Sequence, residues 1–326
     1  MASTARNDRV IVVLAGGVGG ARMAHGLQQA LLPGQLTAVV NTADDFTHYG
    51  LHISPDLDTV MYTLGGIADP VNGWGVAGDT RRTLDAISRY GRDPWFLLGD
   101  QDFATHILRT ERLRQGASLT EVTGELATAL GIPTPILPAS NDPVATQILS
   151  QDGWLDFQDY FVGRRQADDV LEVRFAGIER AVASPAVLRA IADATCIVIA
   201  PSNPIVSIGP ILQTPGLHDA LASAVAPVVA VSPIIGGQAL KGPAANMLRT
   251  LGHEVSALGV ARIYGGIIDG LVIDNADAAL APRIEASGPR VLVTNAIMGD
   301  AADRARFAAE VLGFAGSLSL EQAATR

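Results

Sequence analysis

The sequence predicts an α/β protein with a doubly wound, mostly parallel sheet and a smaller, mainly helical insertion. Two observations support this fold class. Short apolar runs rich in β-branched residues recur along the chain, and most are followed by a turn and then by a pattern of helical period. One long stretch, 65–135, carries helical patterns with no strand pattern between them. Alternating strands and helices are typical of a parallel sheet covered on both faces.

The predicted strands are short and apolar on both sides, as expected of strands buried between two layers of helices. A hairpin is also predicted at 148–162, around the turn Asp152-Gly153. The strands lie at 10–14, 37–40, 170–175, 196–200, 227–231, 271–273 and 291–294, and the chain is expected to return to the sheet at 135–142.

The chain divides into a core at 8–64 and 136–326 and a helical insertion at 65–135. Within the insertion, Asp79 or Thr80 can begin one helix, and Ser118 with Glu121 matches a capping box. With 326 residues, the chain is long enough to bury a large core.

The composition narrows the classes of function. Hydrophobic residues make up 48% and charged residues 17%, which indicates a globular protein. The formal net charge of −10 argues against non-specific binding to nucleic acid or to an anionic membrane. No apolar run approaches the roughly 20 residues of a membrane span, and the N-terminal apolar run is too short for a signal peptide. We therefore expect a cytoplasmic protein, with its single cysteine, Cys196, as a buried structural thiol.

A glycine-rich turn follows the first predicted strand and precedes a helix. This arrangement suits an anionic ligand, since glycines let the backbone approach and a helix N-terminus offers free N–H groups. The dinucleotide fingerprint is incomplete, because Arg22 stands at the third glycine position, and the Walker pattern is missing. The alternative is a tight turn that binds nothing. The candidate glycines are Gly16, Gly17, Gly19 and Gly20.

Two pairs of acids flank the loop after the second strand: Asp44 with Asp45, and Asp56 with Asp58. Ligands of open α/β sheets bind at the ends of strands, which makes these acids candidates for a site. We expect Asp56 and Asp58 to lie on one side of an extended segment, because their spacing is i, i+2 and Pro55 favours extended backbone before it. The alternative is a loop that is acidic for solubility alone.

A second strand-to-loop unit, at 196–210, presents donor groups from hydroxyl, amide and glycine residues. They could bind a phosphate or a base edge: Ser202, Asn203, Ser207 and Gly209. Two other side chains could serve either the site or the core. Trp74 either stacks on a planar ligand or covers a small core, and His106 is better explained as a structural histidine.

Together these motifs resemble the 2-phospho-L-lactate transferases of deazaflavin coenzyme (F-420) biosynthesis. The resemblance is carried by AGGVGGAR, VVNTADD, PDLDTVMYTLGG, GWG, LGDQDFATHILR, PSNPIVSIGPIL and VSPIIGG, in this order. It implies a Rossmann-like core, typically in a homodimer, and Mg²⁺ as the metal. It also implies the reaction, in which a guanosine-diphosphate-activated phospho-acid is transferred to the ribityl hydroxyl of 7,8-didemethyl-8-hydroxy-5-deazariboflavin (FO), with release of GMP.

The resemblance also implies roles for residues. Asp45 and Asp58, with Asp44 and Asp56 as supporting or alternative ligands, would hold Mg²⁺ and orient the hydroxyl of FO. The four glycines would lie near phosphates, and Ser202, Asn203, Ser207 and Gly209 would bind the guanosine diphosphate. Asn41 belongs to the binding residues, as does Leu97, where some family members carry lysine.

Other functions remain open at this stage. A sugar-nucleotide-binding regulator of the same fold would share the glycine turn and paired acids, and an NAD(P)-dependent oxidoreductase would require a complete fingerprint. The sequence leaves the identity of the phospho-acid, the general base and the oligomeric state undecided. Asp58→Asn is expected to abolish turnover while leaving the fold and GDP binding nearly intact.

Overall fold

A seven-stranded, all-parallel sheet forms the centre of the computed structural model, which describes residues 9–325. The strands of the protein are β1 (Ile11–Ala15), β2 (Leu36–Val40), β3 (Phe46–His48), β4 (Leu51–Ile53), β5 (Ile136–Pro138), β6 (Ala145–Ser150), β7 (Gly153–Asp156), β8 (Glu172–Ala176), β9 (Cys196–Ile199), β10 (Val228–Val231), β11 (Ile234–Ile235), β12 (Gln238–Ala239), β13 (Gly270–Asp274) and β14 (Arg290–Thr294). The order in the central sheet is β14-β13-β10-β9-β1-β2-β5. The predicted doubly wound parallel sheet is confirmed.

Helices cover both faces of this sheet. They are α1 (Gly17–Ala30), α2 (Pro55–Leu64), α3 (Arg82–Arg89), α4 (Asp100–Arg114), α5 (Leu119–Ala129), α6 (Pro185–Ala192), α7 (Ile208–Gln213), α8 (Leu217–Ala222), α9 (Ala244–Thr250), α10 (Ala257–Ile263), α11 (Ala281–Glu285) and α12 (Ala301–Thr325). Within residues 9–325, no helix is both long and apolar enough to cross a membrane.

The central strands are buried on both faces, which explains their continuous apolar sequences. In β1, alternate residues belong to two different cores: Val13 packs with α1, α2 and α12, whereas Val12 and Leu14 pack with the helices on the opposite face. Cys196 pairs with Ile11 at the start of β9, and it is a free, buried thiol as predicted. Burial raises its pKa to about 12, so it is a poor nucleophile.

The carboxyl ends of β1, β2, β9 and β10 meet at one edge of the sheet. The chain leaves β1 for β2 on one side, while β9 flanks β1 on the other, so the strand order reverses direction beside β1. A crevice at such a reversal is where α/β proteins bind ligands. The fold therefore places the glycine turn, the acidic loop and the 200–210 loop around a single crevice.

Helices α3, α4 and α5 fall inside the predicted insertion at 65–135, whose standing as a separate domain remains a prediction. Residue 8, the first of the predicted core, lies outside the described residues, as does the N-terminal segment before it. The predicted hairpin at 148–162 is partly right. β6 and β7 form it, but 159–163 is a π-helix, and β8 joins as a third antiparallel strand.

Helix α1 contacts α12 closely at Gly26. A Cβ atom there would lie 2.3 Å from the carbonyl oxygen of Arg304, which is backbone and cannot rotate away. We expect Gly26→Ala to lower the free energy of unfolding by about 1–3 kcal/mol, because the two helices must separate. The matched control is Gly124→Ala in α5, where a Cβ would meet nothing within 4 Å. It should stabilise the protein by about 0.5–1 kcal/mol. Urea unfolding of both variants tests this, and a stabilising Gly26→Ala would contradict the packing.

Candidate active site

A cavity of about 630 Å³ opens at the carboxyl edge of the sheet, between the strand ends and the 65–135 segment. This volume is within the range of small-molecule sites. Many of the predicted binding residues line it: Gly16, Gly17, Gly19, Asp44, Asp56, Asp58, Leu97, Ser202, Asn203 and Ser207. Predicted site residues from the glycine turn, the acidic stretch with the start of α2, the loop before α4 and the 200–210 loop are thus brought together.

Four predicted site residues do not line this cavity: Gly20, Asn41, Asp45 and Gly209. Gly20 packs under it, where a Cβ would lie 2.8 Å from Oγ of Ser202. Gly209 lies in α7 and faces Pro204 and Phe175 instead. The ligand-binding roles predicted for these residues therefore remain predictions.

The glycine turn is held by side chains from neighbouring strand ends. Gly17 has φ of +61°, a conformation that favours glycine, and its N–H donates to Oδ1 of Asp56 over 2.7 Å. The Oγ of Ser202 accepts from the N–H of Gly16 and donates to the Gly16 carbonyl. The N-cap residue of α1, Gly16, has no side chain to cap the helix, so apart from the Gly17 amide held by Asp56 the amides of the first turn remain suited to an anion.

The expectation that Asp56 and Asp58 share one side of an extended segment is wrong. Both lie in the first turn of α2, which begins at Pro55. Proline is preorganised for the first helical position, and acids in the first turn interact favourably with the helix dipole. Residues two apart in a helix point in different directions. Accordingly, Asp56 bonds to Gly17 and Asn41, whereas Asp58 turns toward α4.

Asp44 and Asp56 form a buried acidic pair whose charge is only partly compensated. Burial, and then repulsion by Asp56, raises the pKa of Asp44 well above its ordinary value. Burial also raises the pKa of Asp56 to about 6, against the opposing effect of donors from Asn41 and Gly17. Asp44 Oδ1 is buried without a hydrogen-bond partner among the described residues. A pair of this kind would be stabilised by a cation.

Asp45 lies beside this pair and has different partners. Its Oδ2 accepts from Oγ of Ser54 at 2.7 Å and lies 3.0 Å from Nε2 of His52. Its Oδ1, like that of Asp44, is buried and unpartnered in the described part of the chain. Within residues 9–325, no three His, Cys, Asp or Glu side chains form a group able to hold a metal ion by themselves. Any metal here would need water or substrate oxygens as further ligands.

The carboxylate of Asp58 is paired with Arg109 of α4, and both are buried. Nη1 of Arg109 donates to Oδ2 of Asp58 over 3.0 Å, and Nη2 donates to Oδ1, so the pair is bidentate. Arg109 is 1% exposed and is the largest fully buried side chain of the described residues. His106, one turn earlier on the same face, lies with Nδ1 3.3 Å from Nη1 of Arg109. Burial lowers the pKa of His106 to about 4.

The wall of the cavity formed by the 65–135 segment is largely apolar. Phe96, Leu97 and Trp74 line it, and Trp74 is 41% exposed, which favours stacking on a ligand over covering a core. Asp102 is a buried acid in this wall, with an Oδ2 that accepts from the N–H of Gly99. Burial raises the pKa of Asp102 to about 6.

Sequence reasoning missed Arg109 and Asp102 as site residues. A signal for Arg109 was present, because His106 and Arg109 are spaced i, i+3 and must share one helix face. An arginine beside a histidine on the inner face of a helix needs an acidic partner. Its identity as Asp58 could not be deduced, since the two residues are 51 positions apart.

Comparison with known proteins identifies relatives of the whole chain. A family profile described as 2-phospho-L-lactate transferase CofD matches residues 11–300. A phosphoenolpyruvate transferase of Streptomyces griseus is 43% identical over 311 residues, which cover 94% of this chain and 98% of the relative. A 2-phospho-L-lactate transferase of Methanosarcina mazei is 43% identical over 269 residues, covering 82% and 88% of the two chains.

Among solved structures, a upf0052 family protein from Bacillus halodurans superposes with a TM-score of 0.61. The match covers 94% of this chain and 99% of the other, at 16% identity. Identity this low supports the fold alone.

The buried ion pair predicts a different outcome for Asp58→Asn from that expected on sequence grounds. The variant leaves the guanidinium of Arg109 buried without a counter-charge, so we expect it to lose about 3–5 kcal/mol of unfolding free energy. Arg109→Leu should cost a similar amount, and the double variant less than the sum. The control is Arg112→Gln, on the same helix as Arg109, which breaks an exposed pair with Glu125 of α5 and should change stability by less than about 1 kcal/mol. Urea unfolding measures the free energy of unfolding of the two single variants, the double variant and the control. If the losses of the two single variants add up in the double variant, the two residues are not a coupled pair.

The raised pKa of Asp102 predicts a pH-dependent stability. The folded state binds the proton more tightly than the unfolded chain, so this group stabilises the fold below about pH 4, and that contribution is lost as pH rises through about 6. Replacing Asp102 with asparagine removes the charge and keeps a side-chain oxygen that can accept from the N–H of Gly99. Asp102→Asn should therefore be more stable than the wild type by about 1–3 kcal/mol near pH 7.5 and equal to it near pH 4. Urea unfolding at both values tests this, with the 95% exposed Asp219→Asn as the control. If the stability difference between Asp102→Asn and the wild type is the same at both pH values, titration of Asp102 does not contribute to stability.

Proposed function

Because the chain belongs to the CofD family of 2-phospho-L-lactate transferases, we propose that it transfers a phospho-acid group to FO. The donor is the guanosine-diphosphate-activated form of the acid. The ribityl hydroxyl oxygen of FO forms a bond to the phosphorus that carries the acid, the bond from that phosphorus to GMP breaks, and the hydroxyl proton is lost. The product is coenzyme F-420-0 or its dehydro or hydroxy analogue. The family match over residues 11–300 carries this proposal.

The layout of the cavity supports it. Its lining includes the glycine turn, the start of α1 and the polar loop with Ser202, Asn203 and Ser207. These groups suit a diphosphate and its nucleoside. The same cavity is lined by Phe96 and Trp74, which suit a planar ring system. Three buried acids, Asp44, Asp56 and Asp58, face the same space.

We propose that Asp44 and Asp56 hold Mg²⁺. The fit rests on three features of the structure: the raised pKa values of both acids, the unpartnered Oδ1 of Asp44 and the position of Asp56 at the glycine turn. Magnesium is commonly held by one or two carboxylates, with water and substrate phosphates completing its coordination. Bound there, it would neutralise charge on the diphosphate as GMP leaves.

Asp58 is the predicted catalytic acid that faces the cavity, so we propose that it binds the hydroxyl of FO. Asp45 does not line the cavity and is bonded to His52 and Ser54. We therefore assign Asp45 a supporting role beside Asp44. A homodimer in the cytoplasm is the proposed setting, supported by the family resemblance.

The test is FO fluorescence with and without GDP and Mg²⁺, followed by transfer assays. Saturable FO binding should be altered by GDP with Mg²⁺. Product and GMP should then form from one of the phospholactyl, phosphoenolpyruvyl or phosphoglyceryl donors, and EDTA should abolish turnover. No FO binding, alongside binding of a UDP-sugar, would instead support a regulatory protein of the same fold.

Substitution of the acidic pair tests the metal assignment. Asp44→Asn and Asp56→Asn should raise the Mg²⁺ concentration for half-maximal turnover by roughly 100-fold or more, because even residues behind metal ligands contribute 10- to 100-fold. Asp152→Asn, at an exposed ion pair far along the chain, serves as the control. An unchanged Mg²⁺ requirement in both variants would remove the pair from the metal site.

A further inference from the structure

His106 has a defined tautomer. Its Nδ1 lies 3.3 Å from Nη1 of Arg109, and a guanidinium can only donate hydrogen bonds. Nδ1 must therefore accept, and the neutral ring carries its proton on Nε2. The nearest carboxylate oxygen, Oδ2 of Asp58, is 3.6 Å from Nδ1, beyond hydrogen-bond distance, and it is already bonded to Arg109. Arg109 thus selects the tautomer.

The Nε2–H of His106 has no partner in the described part of the protein. The side chain is 2% exposed, lines the cavity and forms a hydrogen bond through Nδ1 alone. His106 Nε2 is not among the fully buried atoms that lack a partner, so this N–H is accessible from the cavity that the ring lines. A fixed donor presented there by an otherwise buried ring is available to a ligand acceptor. This is the observation that separates His106 from a purely structural histidine.

Arg109 also orients a hydrogen-bond acceptor next to His106, the carboxylate of Asp58. It lies behind the cavity surface, and its two nitrogens hold both oxygens of Asp58. Each carboxylate oxygen retains a further lone pair, and Asp58 lines the cavity. The wall therefore presents an acceptor from α2 and a donor from α4, both oriented by one guanidinium.

We propose that His106 donates a hydrogen bond to the same acceptor-substrate hydroxyl that Asp58 is proposed to bind, with Arg109 as the positioning residue for both side chains. A hydroxyl is the group that donates and accepts at once, so it matches this pair. In the donor substrate, the phosphates and the carboxylate carry no proton for Asp58, and the ribose hydroxyls belong to the nucleoside, which is proposed to bind at the loop with Ser202, Asn203 and Ser207. The inference rests on the proposed function, and it assigns the hydroxyl of the alcohol substrate to the α4 side of the cavity.

Two substitutions separate this role from a structural one. Glutamine can place an amide N–H near the position of Nε2, whereas asparagine can place an acceptor near Nδ1 for Arg109 and leaves the cavity without a donor. If His106 binds the substrate, His106→Asn should weaken FO binding and raise KM for FO by about 10-fold or more, while His106→Gln stays within about 3-fold of the wild type. Affinity for GDP should not change in either variant. Arg112→Gln is the control on the same helix.

FO fluorescence titration and KM measurements provide the readouts, with thermal unfolding to compare the folds. The inference is overturned if His106→Asn behaves as the wild type toward FO, or if His106→Gln is the more damaging change. Arg109→Lys keeps a positive charge but cannot hold both oxygens, so kcat should fall with GDP affinity retained. An unchanged kcat in that variant would also overturn the positioning role. If the wild type binds FO in none of these assays, the proposed function fails instead.

Discussion

Buried negative charge at the carboxyl ends of β1 and β2 is the constraint on which the site depends. Asp44, Asp56 and Asp58 are all at least nine-tenths buried. An ionised carboxylate is stable in such a position only with donors or a counter-charge nearby. The surrounding elements supply them: the glycine turn donates to Asp56, and α4 brings Arg109 to Asp58. The first turn of α2 is thereby tied to β1, β2 and α4 at once.

The two acids of α2 receive unequal compensation, and this divides their roles. The guanidinium of Arg109 neutralises the charge of Asp58 and hydrogen-bonds to both of its carboxylate oxygens. Asp58 is therefore suited to bind a neutral hydroxyl in a fixed orientation. Asp56 has neutral donors only and lies beside Asp44, so this pair is suited to a cation. The first turn of α2 thus contributes to both a candidate metal site and a candidate hydroxyl site, and the proposed diphosphate site lies on the side of the glycine turn.

The 65–135 segment completes the cavity in two ways. Its loops provide the apolar wall with Trp74 and Phe96, and α4 provides His106 and Arg109. The strand ends alone would form a nucleotide crevice of the kind found in many α/β proteins. The proposed binding of a second, ring-shaped substrate depends on the residues that this segment adds.

Local patterns in the sequence determined the buried strands of the central sheet, the glycine turn, the acidic loop and the family, because each depends on residues close together along the chain. The helix that begins at Pro55 was also encoded locally, but the residues PDLD at 55–58 are compatible with either an extended or a helical backbone. The packing of α2 decided between the two. Only the tertiary structure decided which acid meets which partner. Arg109 reaches Asp58 across 51 residues, and the tautomer of His106 follows from that contact. Such pairings depend on distances in the folded chain, which local sequence patterns do not contain.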